Sequence, residues 1–235
     1  MSQVYAVVPA AGAGKRMGAA VPKQYLELAG RTVLEHTLAR LAGHTRIARV
    51  VVAISAGDEF YPALAPHLSP KVRDVVGGAE RCHSVLAALD ALALEAAPDD
   101  WVMVHDAARP CVRTADLDRM LAELERHAVG GILAAPVRDT LKRCDADGAI
   151  VATVDRSALW HALTPQMFRL GVLRDAIRAA LADGVLVTDE AMAIERAGLV
   201  PRVVAGHTDN LKITHPEDLA LAAAILAAQG PGEQA

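Results

Sequence analysis

Val7-Val8-Pro9-Ala10-Ala11-Gly12-Ala13-Gly14-Lys15-Arg16-Met17-Gly18, followed shortly by Pro22-Lys23-Gln24, is the stretch from which the rest of the chain is read. The apolar run from Val4 to Val8 reads as a buried strand. It breaks into Pro, Ala and Gly residues that permit tight turns and bring a ligand close to the backbone. Lys15, Arg16 and Lys23 lie within this stretch and no Asp or Glu occurs before Glu27, so a polyanion meets attraction without repulsion. The glycines at 12, 14 and 18 are one residue too far apart for the G-x-G-x-x-G dinucleotide fingerprint. A P-loop is excluded as well, because Gly14-Lys15 is followed by Arg16 where a Ser or Thr would hold magnesium. Strand, glycine-rich turn and uncompensated charge together favour a phosphate-binding loop over a solvated turn with chance basic residues.

Composition narrows the partners. A chain of 235 residues, 53% hydrophobic and 22% charged, is long enough for one large domain with a substantial core, taken here as residues 1–235. A net charge of −4 and a pI near 6.1 argue against a nucleic-acid or anionic-membrane surface and leave a small molecule as the expected ligand. Cys82, Cys111 and Cys144 are odd in number and scattered, which fits neither a disulfide framework nor a zinc site and matches a reducing, cytoplasmic setting. The cations of the first stretch follow its apolar run, the reverse of an export signal. Leu219 to Ala228 is apolar throughout, but ten residues cannot cross a bilayer and the alanine content suits a packed helix.

Beyond the first stretch, strands and helices alternate. Helical spacing predicts helices over Thr32–Ala42, Ala79–Leu94, Ala115–His127 and Leu170–Ala182, one opened by Thr188-Asp189-Glu190 and running to Ala197, and a last one from Pro216. Apolar runs predict strands over Arg49–Ile54, Lys71–Val76, Trp101–His105, Gly131–Val137 and Val200–Ala205. The alternation implies an α/β fold with a mostly parallel twisted sheet and helices on both faces. Between 137 and 156 the texture changes to Asp139–Cys144 and Ala149–Asp155, joined by Asp145-Ala146-Asp147-Gly148, which predicts a β-hairpin. An isolated hairpin is marginal in water, so a second subunit is expected to cover it.

Asp106 follows an apolar strand on the edge where open α/β sheets place their ligand crevice, the same edge as the glycine loop. It suits either a magnesium ion held mainly by substrate phosphates, or a turn cap paired with Arg109. Asp145 and Asp147 precede Gly148 in a hairpin turn, where Asp is favoured for backbone reasons rather than for metal binding. Thr188 reads as a helix cap, and His105, His161 and Ser84 fit no nucleophile or zinc template. Arg156, Asp209 and Lys212 read, taken alone, as solvated charge.

Taken in order, a longer set of motifs resembles the 2-C-methyl-D-erythritol 4-phosphate cytidylyltransferase family, CTP-using enzymes of the non-mevalonate isoprenoid pathway. The set comprises Pro9-Ala-Ala-Gly-Ala-Gly-Lys-Arg-Met17, Pro22-Lys-Gln-Tyr25, Leu34-Glu-His36, Gly77-Gly78 with Arg81 and Ser84, and His105-Asp-Ala-Ala-Arg-Pro110. It continues through Ala135-Pro-Val-Arg-Asp-Thr140, Thr153-Val-Asp-Arg156, Leu163-Thr-Pro-Gln166, Thr188-Asp-Glu190 and Asp209-Asn-Leu-Lys212. The resemblance implies a Rossmann-like nucleotidyltransferase fold that passes a cytidylyl group from CTP to methylerythritol phosphate by in-line attack on the α-phosphate. Catalysis would fall to Arg16 and Lys23. Ala10, Ala11, Gly12, Gly14, Lys15, Gly78 and Ser84 would bind the nucleotide. Asp106 would face a magnesium ion, while Arg109, Thr140, Arg156, Thr188, Asp209 and Lys212, with Asp106, would surround the methylerythritol phosphate or support that pocket. The hairpin matches the family's dimer arm and implies a homodimer. Ala79 and Cys82-His83 depart from the more polar neighbours expected at the base pocket. The rival readings are another nucleotidyltransferase of the same fold and a non-catalytic nucleotide-binding regulator.

Overall fold

β1 (Val4–Pro9) is apolar on both of its faces and buried almost throughout, which is the pattern of a strand inside a parallel sheet. A computed structural model, describing residues 2–12 and 21–230, places it there. Gly14, Lys15 and Arg16 lie outside the described residues. β2 (Glu27–Leu28) and β3 (Arg31–Thr32) form a short ladder, followed by α1 (Val33–Gly43), β4 (Ile47–Ile54), α2 (Tyr61–Leu64), β5 (Val72–Val76), α3 (Arg81–Leu92), β6 (Trp101–Val104), α4 (Thr114–Leu124) and β7 (Gly130–Pro136). Then come β8 (Leu141–Cys144), β9 (Ile150–Val154), β10 (Trp160–Arg169), α5 (Leu170–Ala182), α6 (Glu190–Arg196), β11 (Arg202–Ala205) and α7 (Glu217–Gln229).

The central sheet has the order β11-β7-β10-β6-β1-β4-β5. β1 pairs in parallel with β4 and β6, β4 with β5, and β7 with β11, while β10 runs antiparallel between β6 and β7. Because the chain leaves β1 for β4 on one side and returns to β6 on the other, the strand order reverses at β1. A crevice opens there beyond the carboxyl ends of β1 and β6.

Alternate residues of the strands bury opposite faces. Val4, Ala6, Val8, Val50 and Met103 pack with Leu34, Leu38 and Leu41 of α1 and Leu117, Met120 and Leu124 of α4. Val7, Val51, Val102 and Phe168 pack with Val85 and Leu89 of α3, Leu173 and Ile177 of α5 and Ile194 of α6. Helices therefore cover both faces, as the alternation predicts. α1 starts where it does because Thr32 and Glu35 form a capping box: the Thr32 hydroxyl accepts from the Glu35 amide at 3.2 Å, and the Glu35 carboxylate accepts from the Thr32 amide at 2.7 Å.

Two readings are corrected. β10 went unpredicted because Pro165 interrupts its run, and proline in a strand interior argues against a strand. The chain accommodates the proline by shifting register between Ala162 and Gln166, so Trp160 to Ala162 and Gln166 to Phe168 pair separately with β7. The helix cap is Asp189 rather than Thr188: the Asp189 carboxylate accepts from the Met192 amide at 2.9 Å, whereas the Thr188 hydroxyl is exposed and contacts only the Met192 sulfur at 3.6 Å. The predicted hairpin is present as β8 and β9, paired only with each other. Its turn is built locally, with Asp145 Oδ1 accepting from the amides of Asp147 and Ala149 and Gly148 at φ 85°.

Candidate active site

The crevice beside β1 holds a pocket of about 150 Å³ lined by Pro9, Ala10, Gly12, Lys23, Gln24, Arg81, Asp106, Ala107, Ala108 and Lys212. One side of it is the small-residue strand end Pro9, Ala10 and Gly12. Ala10 donates its amide to the Ala53 carbonyl at 2.7 Å, the Ser55 hydroxyl donates to the Ala11 carbonyl at 2.7 Å, and the buried Gln24 amide donates to the Ala10 and Gly12 carbonyls at 2.7 and 3.1 Å. These hydrogen bonds fix the backbone of residues 10–12 at the carboxyl end of β1.

Alongside, Gly77 and Gly78 pass close to α3. A methyl group on Gly77 would stand 2.8 Å from the Ala11 Cβ and 2.8 Å from the Ser84 hydroxyl, which itself accepts from the Gly78 amide at 3.1 Å. Ala11, Gly78 and Ser84 are thus neighbours, as the resemblance implies. Of the departures there, Cys82 is buried in the core on the face of the sheet that α3 covers.

Asp106 anchors the floor. Its carboxylate meets Lys212 Nζ at 2.7 Å, Arg81 Nε at 3.0 Å and Arg109 Nε at 3.7 Å. Burial would raise its pKa, but Arg81, then Lys212 and Arg109, outweigh that and hold the carboxyl well below the usual carboxylate range. The loop that carries it is locked by a chain of hydrogen bonds. The Asp106 amide donates to the Thr164 hydroxyl at 3.1 Å, that hydroxyl lies 2.9 Å from His105 Nδ1, and His105 Nε2 lies 3.0 Å from the Arg109 carbonyl. A carbonyl only accepts, so Nε2 carries the proton and Nδ1 accepts from Thr164. Burial lowers the His105 pKa to about 4 and keeps the ring neutral. Thr164 sits at the register shift of β10, so the proline that hides this strand from sequence reading also makes the bend that holds Asp106.

The remaining predicted residues divide. Lys23 lines the pocket on a turn, its ammonium donating to the Ile213 carbonyl at 3.2 Å, close in sequence to Lys212. Arg109 is buried behind Asp106 and donates to the Asn210 carbonyl at 2.6 Å. Asp209 turns away, accepting from Arg113 Nε at 3.0 Å. Thr140, Arg156 and Thr188 are exposed and do not line the pocket. Two residues that lay outside the predicted site join it: Arg81 bonds Asp106, and the fully buried Glu190 bonds Arg81 at 2.7 and 3.0 Å. Their signal in the sequence was spacing within quoted motifs, but opposite charges so far apart in the chain do not announce a pair.

A basic pocket with a small-residue side at the switch point of a mostly parallel sheet, with one carboxylate on its floor, defines a nucleotidyltransferase of the α/β class. Residues 4–228 match the family model for 2-C-methyl-D-erythritol 4-phosphate cytidylyltransferase, and the chain belongs to that family. It is 57% identical over 222 residues to the Vibrio atlanticus (strain LGP32) 2-C-methyl-D-erythritol 4-phosphate cytidylyltransferase, covering 94% of each chain. The Pseudomonas putida (strain GB-1) protein of the same name is 55% identical over 216 residues, covering 92% of each. Among solved structures, a 4-diphosphocytidyl-2C-methyl-D-erythritol synthase superposes with a TM-score of 0.84 at 38% identity, covering 96% of this chain and 100% of that one. The Francisella tularensis 2-C-methyl-D-erythritol 4-phosphate cytidylyltransferase gives 0.81 at 36% identity, covering 95% and 100%. Family membership makes the chain an enzyme, a cytidylyltransferase, and sets aside the regulator reading.

Proposed function

We propose that the pocket beside β1 is where the cytidylyl group of CTP passes to 2-C-methyl-D-erythritol 4-phosphate, giving 4-diphosphocytidyl-2-C-methyl-D-erythritol and pyrophosphate. The observation that carries this reading is the convergence of Lys23 and Lys212 on a pocket floored by Asp106. The acceptor phosphate is already an anion and needs no base. Its oxygen attacks the α-phosphorus in line, pyrophosphate leaves from the opposite side, and the protein's work is to position both partners and neutralise negative charge on the α-phosphate. Lys23 and Arg16 carry that neutralisation, Lys15 and Gly14 lie along the triphosphate, and Ala10, Ala11, Gly12, Gly78 and Ser84 enclose the cytidine. Asp106, Arg109, Thr140, Arg156, Thr188, Asp209 and Lys212 serve the acceptor.

Among the described residues no three metal-ligating side chains cluster. Magnesium needs only one or two carboxylates when substrate phosphates and water complete its shell. Asp106 fits that demand: Oδ1 accepts from Arg81 and Oδ2 from Lys212, leaving each oxygen a further lone pair. Asp106 would hold the ion, and the ion when bound withdraws charge from the phosphate oxygens.

The hairpin supports a homodimer. Ile150 and Val151 on β9 and Trp160 at the start of β10 are 66%, 63% and 42% exposed, an apolar surface that a second copy of the arm region would cover. The free thiols of Cys82, Cys111 and Cys144 support a cytoplasmic setting, and no helix among the described residues is long and apolar enough to cross a membrane. The test is pyrophosphate release from CTP, ATP and GTP across a panel of sugar and polyol phosphates. The reading expects methylerythritol phosphate with CTP to exceed every other pair in kcat/KM, because a pocket walled closely by backbone excludes a purine by size. Comparable kcat/KM with ATP would show the base pocket misassigned.

A further inference from the structure

Arg81 occupies the first turn of α3, one turn before Ser84, and its guanidinium joins three separate parts of the chain. Nη1 and Nη2 donate to the two oxygens of Glu190 at 2.7 and 3.0 Å, and Nε donates to Asp106 Oδ1 at 3.0 Å. We propose that Arg81 is a positioning residue for the transfer reaction: clamped by Glu190, it fixes where the Asp106 carboxylate stands and ties the nucleotide side of the pocket to the acceptor side. The inference rests on the reading of this pocket as the transfer site.

Three observations carry it. First, Glu190 is 1% exposed, and a carboxylate buried that far is kept only with a partner of matching geometry, which the planar fork of arginine supplies and an ammonium cannot. Second, the Glu190 carboxylate is not the cap of α6, because Asp189 fills that role by accepting from the Met192 amide. Its charge is directed at Arg81. Third, the other hydrogen-bond partner of the Asp106 carboxylate is Lys212, whose side chain is 37% exposed and lines the pocket beside Lys23. An incoming phosphate competes for that ammonium, whereas Arg81 is held from behind by Glu190 and stays. Asp106 thus has one partner that substrate can recruit and one that it cannot. Arg109 approaches the same carboxylate at 3.7 Å but donates its own hydrogen bond to Asn210.

The test is a mutant cycle on the full-length enzyme, with kcat, the two KM values and ligand binding read separately. Arg81→Lys keeps the charge but cannot bond both carboxylates, and Glu190→Gln keeps the shape but releases the clamp. Each is expected to lower kcat by about tenfold to a hundredfold, the scale on which small misplacements act, and to raise KM for the acceptor phosphate. CTP affinity, measured calorimetrically with the metal chelated, should stay within about twofold, while acceptor affinity measured the same way falls. In an Asp106→Asn background, Arg81→Lys should cost less than about twofold more, because its route to the reaction is already gone. Should Arg81→Lys lose its thermal transition, Glu190→Gln paired with Asp106→Asn completes the cycle. Additive losses in the double variant, or an Arg81→Lys enzyme with unchanged kcat and acceptor KM, would overturn the role of Arg81 while leaving the transfer site intact. A wild-type protein that releases no pyrophosphate would overturn both.

Discussion

At the scale of single residues, the pocket arranges cations around one carboxylate without neutralising them all. Asp106 meets Arg81, Lys212 and Arg109, while Glu190 offsets Arg81 from behind, so the described cluster keeps an excess of positive charge towards the pocket. Lys23, whose ammonium bonds the carbonyl of Ile213 next to Lys212, adds to that excess. Its removal should leave ground-state binding largely alone and weaken the neutralisation of charge that develops only as the α-phosphate is attacked. Lys23→Ala is expected to lower kcat about a hundredfold or more with little change in CTP affinity, the usual cost of deleting one such electrostatic group. Steady-state kinetics beside a nucleotide-binding titration measures both, and near-normal turnover would remove Lys23 from the chemistry. The pocket's basic, small-residue stretch was legible in the sequence to the extent that Ala10, Gly12 and Lys23 line the pocket, whereas Lys15 and Arg16 lie outside the described residues. Arg81 and Glu190 were not legible, since 109 positions separate them and only the fold brings the Arg81 side chain to Glu190.

At the scale of elements, helices and strands followed from periodicity wherever local and tertiary preferences agree. α1 is an example: Leu34, Leu38 and Leu41 mark its buried face, and Thr32 and Glu35 mark its start. β10 is the counter-example. Its sequence carries a proline in mid-run, and the register shift that absorbs it depends on pairing with β6 and β7, long-range partners that no local window contains. The start of α6 shows a finer limit, because Thr188 and Asp189 are adjacent and both are good caps. The structure chooses Asp189, whose carboxylate also accepts from the Gln166 side chain at 3.0 Å. Asp189→Ala should therefore cost about 1 kcal/mol of stability, the typical loss for an N-cap, whereas Thr188→Ala should stay within about 0.5 kcal/mol as an exposed substitution. Urea denaturation midpoints at unchanged slope separate the two, and equal losses would return the cap to Thr188.

At the scale of the molecule, the sheet order brings Lys23, Arg81, Asp106 and Lys212 to one reversal point, while Thr140 and Arg156 stand exposed beside the β8–β9 hairpin. A two-fold dimer that exchanges arms would bring each Arg156 to the partner's pocket, and this can be tested by mixing. Lys23→Ala and Arg156→Ala are each expected to be nearly inactive. When the two proteins are unfolded together and refolded, about half the dimers are mixed, one site in each mixed dimer collects both defects, and the other is intact. About a quarter of all sites should then recover. Mixed dimers without recovered activity would show that Arg156 serves its own chain.

The claim beneath all of this is that an oxygen of the acceptor phosphate becomes bonded to the α-phosphorus of CTP as pyrophosphate leaves. Methylerythritol phosphate carrying ¹⁸O in its phosphate group, turned over with unlabelled CTP and followed by phosphorus NMR and mass spectrometry, tests it most directly. The account predicts that every labelled oxygen is retained in 4-diphosphocytidyl-2-C-methyl-D-erythritol, one of them bridging the two phosphorus atoms, with one unlabelled pyrophosphate released per product. Label in the pyrophosphate, or release of orthophosphate in its place, would contradict it.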